Sequence, residues 1–243
     1  TQQHPGLLVR HEEEMGLDKL VIHGGTPLHG TIPINGAKNS ALVLLAGALL
    51  APEETVITNV PNLADVGVIS EVLAQIGVRV MLDLTAHTVR VDAADLTDTP
   101  PPYDLVTKMR ASFFILGPIL ARLGYARIPL PGGCSIGSRP VDLHLKGLRS
   151  LGAKITIEHG YVEAQADSLT GGPVYLDYPS VGATETIMMA ACLAEGTTVI
   201  DNCAQEPEIV DLADMLIKMG ARITGAGTQT ITVEGVKRLN GTV

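Results

Sequence analysis

Three segments of this chain follow one pattern, in which an apolar stretch ends in a glycine and a β-branched run begins at once. They are Leu73-Ala74-Gln75-Ile76-Gly77-Val78, Leu148-Arg149-Ser150-Leu151-Gly152-Ala153 and Leu216-Ile217-Lys218-Met219-Gly220-Ala221. A glycine placed so closes a helix in the left-handed conformation. The runs after it, Arg79-Val80, Lys154-Ile155-Thr156-Ile157 and Arg222-Ile223-Thr224, read as strands. The glycines stand 75 and 68 residues apart, a period of roughly 70. Such a chain has to stack three similar units.

A second set of anchors agrees. Ala48-Leu49-Leu50-Ala51 leads to Glu54-Thr55-Val56-Ile57, Ile119-Leu120-Ala121 to Ala126-Arg127-Ile128, and Ala191-Cys192-Leu193-Ala194 to Gly196-Thr197-Thr198-Val199-Ile200. Each unit therefore reads β-α-β-α-β-β, and Gly30-Thr31-Ile32-Pro33-Ile34 is the opening strand of the first. The helices Asn39 to Leu50 and Thr184 to Ala194 are apolar on nearly every side and so are predicted to be buried. The expected fold class is α/β (α+β): three units about a pseudo-threefold axis, helices inside and sheets outside. The middle unit carries extra residues around Cys134, and a local excess in a repeat marks a functional loop.

Charge limits the partners. The formal net charge is −9, which argues against nucleic acid, so any cluster of Lys and Arg is informative. Three cysteines, with no zinc-type spacing, predict no disulfide framework and no metal, in a reducing, cytoplasmic setting. Cys192 and Cys203 read as core. The apolar run Ala41 to Ala51 is too short to span a bilayer, and residues 1–14 hold no signal-peptide core. Met15-Gly16-Leu17 reads as a natural start, so residues 1–18 are expected to form a flexible extension.

Chemistry gathers at four places. Pro131-Gly132-Gly133-Cys134-Ser135-Ile136-Gly137-Ser138-Arg139-Pro140 sets an accessible thiol beside a permanent cation, on a loop where a small apolar residue has no packing reason to sit. Asn35-Gly36-Ala37-Lys38-Asn39-Ser40 opens the first buried helix with a lysine. The positive end of a helix dipole disfavours a lysine unless an anion lies between them. Thr107-Lys108-Met109-Arg110 repeats that cationic start in the second unit, and Tyr178-Pro179-Ser180-Val181-Gly182 offers hydroxyls and free N–H groups in the third. Lys38, Arg110 and Arg139 are expected to converge on a multiply anionic small molecule. Glu206-Pro207-Glu208-Ile209-Val210-Asp211 reads as first-turn acids that cap a helix, and His144 as a surface histidine.

These motifs, in this order, resemble the family of enolpyruvyl transferases that act on UDP-N-acetylglucosamine. The segments are Asn-Gly-Ala-Lys-Asn-Ser, Lys-Met-Arg-Ala-Ser, Pro-Gly-Gly-Cys-Ser-Ile-Gly-Ser-Arg-Pro-Val-Asp-Leu-His, Ser-Val-Gly-Ala-Thr-Glu and Glu-Pro-Glu-Ile-Val-Asp, and the likeness runs from about Leu20 onward. The resemblance implies an inverse α/β barrel, two domains of three repeats, and substrates in the cleft between them. Lys38, Asn39 and Arg139 would then contact phosphoenolpyruvate. Arg110, Arg139, Pro140, Val141, Asp142, Leu143, Ser180, Val181 and Gly182 would hold the UDP-sugar, and Cys134 would donate the proton. The resemblance implies transfer of the enolpyruvyl group to the sugar 3-hydroxyl in peptidoglycan synthesis, with no cofactor, and fosfomycin as an alkylator of Cys134.

By the same resemblance, residues 19–37 are a strand segment that joins the second domain, and 38–243 are the first three-repeat domain. The family's general base, an Asp, and a phosphate-binding Arg lie in the second domain, beyond Val243. The chain is thus expected to be an N-terminal portion that is catalytically silent alone. The alternatives are the sister transferase of the shikimate pathway, against which the cysteine loop speaks, and a non-catalytic half that binds nucleotide sugar.

Overall fold

The computed structural model describes residues 24, 25, 27, 29–131 and 141–242, without the side chains of residues 108 and 110. The chain divides at Ile34/Asn35 into two units, and the larger one begins at Asn35. The smaller unit has neither helix nor strand among its described residues. The opening strand expected at 30–34 is therefore not formed: Ile32 and Ile34 are 79% and 85% exposed, and Pro33 has no N–H for a ladder.

The larger unit is three repeats in series. The first holds α1 (Lys38–Gly47), a 3-10 turn (Ala48–Leu50), β1 (Thr55–Ile57), α2 (Ala64–Gln75), β2 (Arg79–Asp83) and β3 (Thr88–Asp92). The second holds α3 (Tyr103–Lys108), a 3-10 helix (Arg110–Ile115), α4 (Leu116–Leu123), β4 (Tyr125–Pro129), α5 (Asp142–Ser150), β5 (Lys154–Glu158) and β6 (Tyr161–Gln165). The third holds β7 (Pro173–Tyr175), α6 (Val181–Ala191), β8 (Thr197–Asp201), α7 (Pro207–Lys218), β9 (Arg222–Thr224) and β10 (Thr230–Glu234).

Each repeat closes its own sheet, ordered β1-β3-β2, β4-β6-β5 and β7-β8-β10-β9, and every pairing is antiparallel except β7 with β8. The last strand of each repeat alternates with period two. Val89 and Val91, Val162 and Ala164, and Ile231 and Val233 point into the core, while their neighbours face outward. Only the third repeat has an opening strand among the described residues. In the second, Pro100-Pro101-Pro102 stands where that strand would lie, with no N–H to donate.

The three glycine anchors end α2, α5 and α7 in the same way. Gly77, Gly152 and Gly220 have φ of +89°, +91° and +109°. The next residue's N–H reaches back to a carbonyl in the last turn: Val78 to Leu73 (3.1 Å), Ala153 to Leu148 (3.1 Å) and Ala221 to Leu216 (2.9 Å). This bond, made only when the glycine adopts the left-handed conformation, satisfies a carbonyl the helix leaves open.

The helices α1 and α6 are buried as predicted. α1 packs on α2, α7 and the 3-10 helix of the second repeat; α6 packs on α4, α5, α7 and that same 3-10 helix. Close approach needs small residues: a Cβ on Gly117 of α4 would meet the Thr186 carbonyl of α6 at 2.6 Å. The second repeat does not start its helix as expected. Met109 is extended (φ −140°, ψ 115°), and α4 begins only at Leu116. Pro118 explains the delay, since its ring would clash with the Phe114 carbonyl in an unbroken α-helix.

Two ties bind the repeats. Arg122 of α4 donates to Leu49 O (2.8 Å) and Ala93 O (3.0 Å) of the first repeat. Past β10 the chain returns to β1, where Val56 N–H donates to Thr242 O at 2.8 Å.

Candidate active site

The start of α1 is uncapped. Ala37 precedes it, no side chain accepts its first N–H groups, and its first turn holds no acid. Those amides and the helix dipole favour an anion. Lys38 at this end pairs with Asp65 of α2 at 2.8 Å, with both side chains well exposed, so water screens the pair and leaves it weak. Lys38 can leave Asp65 for a stronger anion.

Asn39 and Ser40 point to α7 instead. Asn39 Nδ2 donates to Glu208 Oε1 at 3.1 Å, and Ser40 Oγ donates to Asp211 Oδ2 at 2.5 Å. This corrects the capping role expected for the acids. Glu206 occupies the N-cap position of α7 without a side-chain cap bond, and Pro207 begins the helix. Glu208 and Asp211 are three apart, on one face, and that face meets α1.

Behind them lies Glu185 of α6, 1% exposed, whose Oε2 is buried without a hydrogen-bond partner among the described residues. Burial first, then the charges of Glu208 and Glu206, push its carboxyl up to about 9, so it is neutral at pH 7. Sequence reasoning gave Glu185 no role. The signal was present: it is the only acid between Val181 and Ala191, on a helix too apolar to face water.

The expected sugar segments lie on neighbouring helix starts. Ser180 caps α6, accepting from Ala183 N–H at 3.4 Å, while Thr184 Oγ1 donates back to Ser180 O at 2.8 Å. Val181 and Gly182 are half-buried. Asp142 opens α5 and is exposed, Val141 before it is half-buried, and Leu143 is 2% exposed, packed in the core. The two segments meet where Gly182 faces the His144 ring: a Cβ there would lie 2.9 Å from Cε1. His144 is thus buried, not a surface histidine. Its Nδ1 is 3.0 Å from Thr186 Oγ1, and Phe113 packs edge-on against the ring at 5.5 Å.

Cys134, Arg139 and Pro140 lie outside the described residues, as does the side chain of Arg110; the expected convergence of Lys38, Arg110 and Arg139 falls there too. Cys192 and Cys203 are buried, as expected, and burial pushes their thiols up to about 12 and about 11. A cleft of about 330 Å³ opens beside Gly36, Ser40, Asn59, Asp211 and Lys218, and is lined by neither Lys38 nor Asn39. Among the described residues no helix is long and apolar enough to cross a membrane.

Residues 22–243 match the family EPSP synthase (3-phosphoshikimate 1-carboxyvinyltransferase). The chain is 60% identical over 91% of its length to a UDP-N-acetylglucosamine 1-carboxyvinyltransferase of Gloeobacter violaceus, covering 48% of that protein. It is 57% identical over 92% of its length to a protein of the same name, numbered 1, in Caldanaerobacter subterraneus, covering 53%. The chain spans about half the length of the curated relatives it matches. Among solved structures, the enolpyruvyl transferase NikO from Streptomyces tendae superposes with a TM-score of 0.78 at 27% identity, over 91% of this chain and 52% of that one. An EPSP synthase from Acinetobacter baumannii gives 0.68 at 21% identity, over 88% and 48%, and so speaks for the fold alone.

Proposed function

The chain belongs to the EPSP synthase family, and from that premise we propose that its protein transfers the enolpyruvyl group of phosphoenolpyruvate to the 3-hydroxyl of UDP-N-acetylglucosamine. The observation that carries this reading is identity of 53–60% over about nine-tenths of the chain with proteins named for that reaction. The shikimate-pathway alternative is disfavoured: the EPSP synthases among the structural neighbours are 21% identical. The chain spans about half of each relative, so the activity is proposed for the full-length protein, in which a second domain of three repeats supplies the other wall of the cleft.

In the proposed reaction the Cys134 thiol protonates the methylene carbon of phosphoenolpyruvate, making the middle carbon electrophilic. The sugar 3-oxygen bonds to that carbon as its proton passes to a base of the second domain. The tetrahedral intermediate then returns a proton from its new methyl group to the Cys134 thiolate and expels phosphate, which restores the double bond as an enolpyruvyl ether. Lys38, Asn39 and Arg139 hold the phosphate and carboxylate; the uncapped N–H groups of α1 add positive potential to that cluster. Arg110, Pro140, Val141, Asp142, Leu143 and Ser180 to Gly182 hold the nucleotide sugar, with Leu143 contributing its backbone, since its side chain is packed away. Fosfomycin would alkylate Cys134; the thiols of Cys192 and Cys203 are buried.

The product enters peptidoglycan synthesis at its first committed step, and cell shape and division depend on it. The setting is the cytoplasm, where the partners are these two small molecules. The test is phosphate release from phosphoenolpyruvate in the presence of UDP-N-acetylglucosamine. Lys38→Ala should lower kcat/KM by roughly 10²–10³, the range for loss of one oxyanion donor. Unchanged turnover in that variant would overturn the assignment.

A further inference from the structure

Asn39, at the substrate-facing end of α1, is held by one acid while a second and a third stand close by. Glu208 accepts its amide at 3.1 Å; Glu206 precedes Glu208 at the start of α7; Glu185 lies on α6, which packs on α7, close enough for the charges of Glu208 and Glu206 to act on it. Three carboxylates in one place cannot all be ionised without donors to hold them, and the described donor there is the Asn39 amide. Water reaches Glu206, which is exposed, and part of Glu208. It does not reach Glu185, at 1% exposed and with Oε2 unpartnered. A carboxyl in that position keeps its proton, because a bare charge shut from water is not tolerated.

We propose that Glu185 is a positioning residue for Asn39: neutral, it leaves Glu208 free to hold the amide, and as an anion it would push Glu208 away. The proposal rests on the functional reading above only in treating Asn39 as a substrate contact. The surroundings support it. Glu208 and Glu206 are the groups whose charge acts on Glu185, and both oppose its ionisation. Asp211 on the same helix accepts from Ser40. On α5, His144 is turned to Thr186. On α4, Arg122 is spent on backbone carbonyls of the first repeat. On β8, Asp201 accepts from Thr230. On β10, Glu234 pairs with Arg222. The 3-10 helix contributes Arg110, whose side chain lies outside the described residues. Glu185 therefore meets no described cation that would favour its charged form.

The test is a nuclear magnetic resonance titration of this chain from pH 6 to 10.5, following the Asn39 side-chain amide and the Glu185 carboxyl carbon. In the wild type both should move together, with one midpoint near pH 9. In Glu185→Gln, which keeps the shape of the neutral acid, the Asn39 signal should stay at its low-pH position through that range. An Asn39 signal that ignores pH in the wild type, or follows the same curve in the variant, would overturn the proposal. Should the variant not fold, a Glu185 carboxyl carbon already at its ionised shift at pH 6 in the wild type, and unmoved from there to pH 10.5, would overturn it equally. Absence of phosphoenolpyruvate binding at pH 7.5 would count against the proposed function alone, since the titration needs no substrate.

Discussion

Asn39 and Glu208, 169 residues apart in sequence, are joined by a hydrogen bond of 3.1 Å that ties the first repeat to the third. One residue along α1, Ser40 makes the matching bond to Asp211 at 2.5 Å. The start of α1, which the functional reading places against phosphoenolpyruvate, is thus held from behind by α7. The surface proposed to hold the anion is backed by carboxylates, and Glu208 and Asp211 are occupied by its amide and hydroxyl.

Asp211→Asn tests that backing. The bond from the buried Ser40 hydroxyl to an exposed carboxylate would become a bond to a neutral amide, at a cost of about 1–2 kcal/mol by comparison of charged with neutral bonds. Urea unfolding should show a lower midpoint with an unchanged slope. A midpoint equal to the wild type would mean that the bond does not hold the two helices.

Gly152→Ala isolates the cost of the repeated helix end. The glycine has φ +91°, and an added Cβ would meet nothing within 4 Å, so the penalty is conformational alone. It should be about 1–2 kcal/mol. Gly77→Ala should cost more, because its Cβ would also strike the Asp95 carbonyl. Equal losses at the two sites would contradict this.

Arg122→Met keeps much of the stem and removes the guanidinium. The carbonyls of Leu49 and Ala93 would lose their donor between two repeats. Ala93 O keeps the Leu96 N–H at 3.3 Å, so the expected loss is roughly 1–3 kcal/mol, for the one buried acceptor left unpaired at Leu49, read from thermal or urea unfolding. Arg122→Lys, able to reach one carbonyl, should fall between.

The repeats were legible because each ends a helix in a way only glycine allows at no strain, and Gly77, Gly152 and Gly220 mark it in the letters themselves. The burial of α1 and α6 was legible from their unbroken apolar runs. The opening strands were not: Gly30 to Ile34 has β-branched residues, but a strand exists only if an edge receives it. The roles of Glu208 and Asp211 were misread because first-turn acids are common caps, whereas their partners lie on a helix 169 and 171 residues away. His144 was misread for the same reason. Its burial comes from Phe113 and Thr186, on other elements, and not from its neighbours in sequence.

Stability should carry the mark of Glu185. Its folded pKa is raised from 4.5 to about 9, so its contribution is full below pH 4.5, falls as pH rises, and is lost by about pH 9. The slope from this group is at most about 1.4 kcal/mol per pH unit. Glu185→Gln should remove that slope, gaining on the wild type in urea midpoint steadily from pH 5.5 to 8.5. Parallel pH curves would contradict the buried neutral acid.

The acceptor that the phosphoenolpyruvate carbon meets separates the two transferases. The decisive measurement offers phosphoenolpyruvate with UDP-N-acetylglucosamine and shikimate 3-phosphate together to the full-length protein carrying this chain, and weighs the products by mass spectrometry. One phosphate should be released for each enolpyruvyl-UDP-N-acetylglucosamine formed, with shikimate 3-phosphate recovered unchanged. Enolpyruvyl transfer to shikimate 3-phosphate, with the UDP-sugar untouched, would contradict the proposed function.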